Sequence, residues 1–172
     1  MYINMNDENK KNISLSKPLK ERKISDKQKQ QYNNIDYDES INILRNYYIP
    51  REEYLDKNKH TSLVSSINKK LNSYKQQDIH KYKYNETDFI VVEEVINKLL
   101  TGRLICYYCN EKTRLFYTYS REPKQWTLER IDNSIGHTNK NTVIACLDCN
   151  LKRRDRSSKD FKFAKQLVIK KV

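Results

Sequence analysis

Apolar side chains are spaced in two ways along this chain, and the change from one to the other divides it. Upstream of Arg103 they recur at helical intervals. Leu63, Ile67, Leu71 and Tyr74 stand at i, i+4, i+8 and i+11, the stripe of one helix face. Val92, Val95, Ile96 and Leu99 repeat the spacing within 91–100, and Thr101-Gly102 offers a C-terminal stop. A shorter helix is expected over 38–48, with Ile41, Leu44 and Tyr48 on one side and Pro50 ending it. These stripes read as packing faces. Residues 1–35 keep no sustained period and are rich in Lys, Asn and Gln, so they are expected to be disordered, with some helix on binding.

Downstream of Arg103 the texture turns β-like. Residues 114–119 form an aromatic-rich run, Glu122-Pro123 reads as a turn, and 126–131 as the returning strand of a hairpin. Half of the aromatics from Tyr107 to Trp126 should then pack inward. Residues 132–141 read as a polar loop around Gly136, 143–145 as a short strand, and Cys149 onward as helix. A last helix should begin near Ser157 or Ser158. Ser157 and Asp160 have capping spacing, and Phe161, Ala164, Leu167 and Val168 make its apolar face. The pattern predicts an α+β chain in three parts: a polar tail (1–35), a helical extension (36–102) and a compact C-terminal domain (103–172).

Composition does not support a large core. Of the 172 residues 37% are hydrophobic and 33% charged, with a mean hydropathy of −0.98. A small core of this kind is commonly supported by a bound metal. The formal charge is +12, and from Asn150 onward nine Lys/Arg face two Asp/Glu. A positive field gathered at one end is the footprint of a phosphate-bearing partner. Composition alone leaves a second reading open, a lysine-rich surface produced by an AT-rich genome such as that of a large DNA virus. No apolar run approaches the roughly 18 residues of a membrane span, and no signal peptide is evident. The expected setting is intracellular, cytoplasm or nucleus, where thiols stay reduced.

Four cysteines in such a setting point to metal. Cys106 and Cys109 form one CxxC pair, Cys146 and Cys149 the other, and no cysteine is left over. Two residues between thiolates let both sulfurs reach one ion, so the two pairs can complete a tetrahedral shell of four thiolates around a structural Zn2+. The 36 residues between the pairs exceed the usual ribbon and leave room for a hairpin and a loop.

The residues inside that frame resemble a known family. Trp126-Thr127-Leu128-Glu129-Arg130-Ile131-Asp132-Asn133, then Gly136-His137, Asn141, Cys146-Leu147-Asp148-Cys149-Asn150 and Lys152 look like the HNH endonuclease motif in its zinc-framed ββα-metal form. The resemblance covers about residues 103–156. It implies Glu129 as an acidic ligand and Asn150 as a helical ligand of a catalytic Mg2+ or Mn2+, with Asn141 as an orienting residue. Arg130 stands where the family places its general-base histidine, and arginine does not give up its proton. It can clamp a phosphate instead. His137, or hydroxide at the metal, is then the remaining source of a base. Asp132 reads as a loop cap rather than a second carboxylate ligand.

Lys152, Arg153, Arg154, Arg156, Lys159 and Lys162, with Lys165 beyond them, are candidate phosphate contacts. The function expected from the resemblance is metal-dependent hydrolysis of nucleic acid, DNA ahead of RNA. The alternative is a zinc domain that binds nucleic acid without cutting it, in transcription or genome packaging. A third is a protein-interaction module using the helical extension.

Overall fold

The structure is a computed structural model; it describes residues 19–49 and 57–167. In chain order the elements are α1 (Asp26–Asn34), α2 (Tyr37–Asn46), α3 (Lys57–His80), α4 (Val92–Thr101), β1 (Trp126–Arg130), β2 (Thr142–Cys146), α5 (Leu147–Arg153) and α6 (Ser158–Gln166). Pro50 and Val168, which entered the expectations above, lie outside the described residues.

Most of the helix starts have a local cause. The first backbone N–H groups of a helix lack intrahelical acceptors, and side chains supply them. The Ser25 hydroxyl accepts from Gln28 N, the Asp36 carboxylate from Glu39 N and the Ser157 hydroxyl from Asp160 N. At α4 the Glu94 carboxylate reaches back to Val91 N at 3.1 Å. The stripe of α3 is buried as its period requires, with Leu63 and Ile67 fully covered and Leu71 nearly so. Val95, Ile96 and Leu99 of α4 meet it.

β1 and β2 pair antiparallel, from Trp126 opposite Cys146 to Arg130 opposite Thr142. Alternation along β1 sends Trp126 and Leu128 to one face and Thr127 and Glu129 to the other. Trp126, Leu128 and Ile144 join Leu63, Ile67, Leu99 and Leu104 in one hydrophobic cluster. α5 follows β2 directly and packs on both strands. The ribbon is thus held between the N-terminal helices and α5, and the helical extension shares its core with the C-terminal part.

Two expectations change. The run 114–119 does not pair with 126–131, because the partner of β1 is β2. Arg114 makes a parallel bridge to Gln125, and its carbonyl accepts from Trp126 N at 3.2 Å. The aromatic run serves the N-terminal segment instead: Arg22 N bonds Thr118 O at 2.8 Å, and Phe116 stacks on Tyr32 at 4.8 Å. Residues 19–34, expected to lack structure, therefore form a strap along 117–120 followed by α1. The expected stop at Gly102 is observed: it caps α4 but does not take a left-handed conformation. Arg103 and Leu104 do, each at φ 51°, and glycine is required because a Cβ would stand 2.8 Å from Lys98 O.

The end of α3 carries a similar inversion. Tyr82 N bonds Ile79 O and Lys83 N bonds Asp78 O, the paired bonds that close a helix with one left-handed residue. That residue is Tyr82, at φ 56°, where glycine is usual. A side chain there costs about 1–2 kcal/mol. The glycine nearby, Gly136, is used for proximity: its Cβ would lie 2.4 Å from Lys83 O and 2.9 Å from Asp78 Oδ2. We expect Gly136→Ala to destabilise the protein by about 1–3 kcal/mol, against about 2–5 kcal/mol for Ile67→Ala in the core, both read by denaturant unfolding. An unchanged midpoint for Gly136→Ala would contradict the close approach of loop and helix.

Candidate functional site

The four cysteines converge. Cys106 and Cys109 sit on a tight turn in which Asn110 N bonds Cys106 O at 3.0 Å and Asn110 turns left-handed. Tyr107 N donates to Ile144 O at 2.8 Å, which lays this turn on β2. Cys146 ends β2 and caps α5, its sulfur accepting from Cys149 N at 3.4 Å. All four sulfurs fall within 4.8 Å of one another, and Cys109 Sγ lies 3.9 Å from Cys146 Sγ. A tetrahedral Zn–S bond of about 2.3 Å implies sulfurs about 3.8 Å apart, so the cluster is compatible with a structural metal such as zinc. Hydrogen bonding with Cys146 pulls the Cys106 thiol well down, while burial pushes the Cys149 thiol up. Thiols this close compete for protons, and four thiolates coexist only around a cation.

On the α5 face of β1 the side chains interlock in register. Asn150 Nδ2 donates to Thr127 Oγ1 at 3.1 Å, and one turn on Arg153 Nε donates to Glu129 Oε1 at 2.5 Å. Arg153 is 2% exposed and fully engaged: it also holds Arg156 O, Arg130 O and Asn133 Oδ1 at 2.7–2.8 Å. This corrects the expectation of a phosphate contact at Arg153. Desolvation pushes the Glu129 carboxyl upward, and Arg153 opposes it. Glu129 Oε2 and Asn150 Oδ1 remain as acceptors on this face. Neither is a buried atom without a partner, since among the described residues only Trp126 Nε1 is one.

The other face of β1 carries a second polar cluster. Asp78 of α3 is fully buried. Its carboxylate accepts from His137 N at 2.6 Å and lies 2.9 Å from His137 Nδ1. Arg130 Nη1 stands 3.7 Å from the same group, and the Tyr74 ring stacks on the imidazole at 4.6 Å. Burial holds the His137 pKa below the usual histidine value despite Asp78. Arg130 is thus turned toward a protein carboxylate, and His137 sits across the strand from Glu129 and Asn150. Of the five residues assigned catalytic roles, Arg130 and His137 share Asp78, while Glu129 is held by Arg153 and Asn150 by Thr127. Asn141 orients the loop rather than a base: its Oδ1 accepts from Asp132 N, and its Nδ2 reaches Asp132 O and Gly136 O. Asp132 caps that loop by accepting from Ser134 N and Oγ, both at 2.7 Å.

Two residues outside the expected set matter here. Asp78 continues the α3 stripe four positions past Tyr74, and a carboxylate on a buried stripe was a readable signal of an internal partner. Asn133 ties Arg153 and Arg154 O to the loop; it lies within the motif quoted above, which gave it no role. The remaining basic residues are outward. Lys152, Arg154, Arg156 and Lys159 are exposed, and Lys162 lies over Tyr107 at 3.9 Å. Lys152 is paired with Asp148 at 2.8 Å. Lys152, Arg154, Arg156 and Lys165 line a groove beside α5 and α6, together with Asp148, Asp155 and Phe161.

No family model, no curated protein and no solved structure matches the chain.

Two outcomes follow. Elemental analysis should find one transition-metal ion per chain, and a strong chelator should collapse the near-UV circular dichroism. Structural zinc contributes about 10–16 kcal/mol, more than the roughly 5–15 kcal/mol net stability of a domain. Glu129→Ala leaves Arg153 buried without its counter-charge and should cost about 3–5 kcal/mol. Glu129→Ala combined with Arg153→Met should recover most of that loss in thermal unfolding.

Proposed function

We propose that this protein acts on nucleic acid as a zinc-framed, HNH-like endonuclease that hydrolyses DNA phosphodiester bonds with a divalent metal. The observation that carries the reading is the strand–loop–strand–helix order of β1, β2 and α5, closed by the four-cysteine cluster, with a carboxylate and an amide oxygen on the face between strand and helix. Glu129 Oε2 and Asn150 Oδ1 are hard donors suited to Mg2+ or Mn2+. A cation bound there would neutralise charge developing on the scissile phosphate. The rest belongs to this chain's own residues. Thr127 orients Asn150 through its amide, so that the carbonyl oxygen is the atom presented. Arg153 fixes the Glu129 rotamer and tempers its charge. Arg154, Arg156 and Lys159 lie exposed just beyond α5, where they can hold the backbone of the substrate.

A second reading, binding without cleavage, is favoured by one observation. Arg130 and His137 are engaged with Asp78 on the far side of β1, so neither stands beside the Glu129–Asn150 pair as a base. The helical N-terminal half then serves as scaffold in both readings, since its apolar stripes are spent in the shared core.

Supercoiled plasmid separates the two. With Mg2+ or Mn2+ the protein is expected to nick or linearise it. Glu129→Gln keeps an acceptor for Arg153 but removes the charge, and should abolish nicking with the circular dichroism spectrum unchanged. Retardation on a gel at low salt, with no nicking at any metal concentration, would leave the binding reading standing and remove the nuclease.

A further inference from the structure

The turn that ends α3 holds an aromatic ring where neither packing nor backbone preference accounts for it. Tyr82 is 98% exposed, the most open large apolar side chain among the described residues. Its backbone is left-handed, at φ 56°, a conformation uncommon for a bulky residue and associated with functional sites. The turn beneath it is nonetheless firmly built. Tyr82 N bonds Ile79 O at 3.1 Å and Lys83 N bonds Asp78 O at 2.8 Å. Asp78 is buried, Lys83 Nζ holds Asn133 O, and the backbone of Gly136 lies against Lys83 O. A rigid tip therefore projects a ring into solvent.

What surrounds the tip indicates what the ring meets. Lys81 is exposed beside it. Asn133, which accepts from Lys83, also donates through Nδ2 to Arg154 O at 3.0 Å. Arg154 is exposed and is itself left-handed, at φ 56°. The aromatic tip and the basic turn after α5 are thus fastened to one loop residue. Cationic groups beside an exposed aromatic ring are the chemistry that receives nucleotides, phosphates going to the charges and a base to the π-face.

We propose that Tyr82 is a base-stacking residue that selects nucleic acid carrying an unpaired base, with Lys81 and Arg154 holding the flanking phosphates. The proposal rests on the nucleic-acid reading above and adds a preference to it. In intact duplex both faces of each base are already covered by neighbours, so a ring on a rigid tip has nothing to stack on. A gap, bulge or single-stranded segment exposes a face without the cost of unstacking.

The test uses the full chain and two DNA duplexes of equal length, one intact and one with a single bulged 2-aminopurine. Anisotropy gives affinity, and 2-aminopurine quenching reports stacking. The parent should bind the bulged duplex about tenfold or more tightly than the intact one, a difference within the range for one base–aromatic stack, and should quench the probe. Tyr82→Gly relieves the left-handed strain, so its Tm should hold or rise while the preference and the quenching vanish. Tyr82→Trp should keep both. A Tyr82→Gly protein that still prefers and quenches the bulge overturns the proposal. A parent that binds neither duplex at low salt overturns the nucleic-acid reading itself, which is a different result.

Discussion

Four sulfur atoms drawn within 4.8 Å of one another are the constraint on which the C-terminal half depends. They close a segment of 36 intervening residues and fix both of its ends, the turn at 106–110 and the junction between β2 and α5. Closing a loop of that length is unfavourable in chain entropy, and a two-stranded ribbon is marginal alone. A shared metal such as zinc, with which the cluster is compatible, would offset both. The same junction serves twice, since Cys146 is at once a candidate metal ligand and the cap of α5. The helix that carries Asn150 and Arg153 is therefore set in place by the cluster.

β1 is the second organiser. Its alternation separates an apolar face toward α3 and α4 from a polar face toward α5. At the end of the strand the two faces carry opposite solutions to the same problem, a charge taken out of water. Glu129 is answered by Arg153, and Asp78 by His137 and Arg130. A buried ion pair is weak evidence of stability, because desolvation cancels much of the attraction. Its effect here is on geometry. Arg153 and Asn133 lock loop, strand and helix into one arrangement, and Asp78 locks the same loop to α3.

That arrangement bears on function in two ways. It commits His137 and Arg130 to Asp78, and commits Glu129 and Asn150 to the face that meets α5. It also draws α3, an extension by its place in the sequence, into the wall of the candidate nucleic-acid surface. The polar loop 131–141 is the meeting point of both, held by Asn141 from within and by Asn133 and Gly136 at its margins.

Local features were legible in the chain itself: the helical stripes of α3 and α4, the cap at Ser157, the paired CxxC turns and the loop cap at Asp132. Each depends on neighbours a few residues apart, and short-range sterics and hydrogen bonding act at that distance. The partner of β1 was not legible, because 114–119 and 142–146 are both plausible strands and only packing against the helices selects the second. Nor was the fate of the charged residues. Arg153 reads like its exposed neighbours Lys152 and Arg154, yet it is buried because Glu129 approaches from a strand 24 positions away. Composition and spacing determined which groups this protein owns, while the tertiary structure decided which of them face each other, since a charge takes its role from whatever replaces water around it.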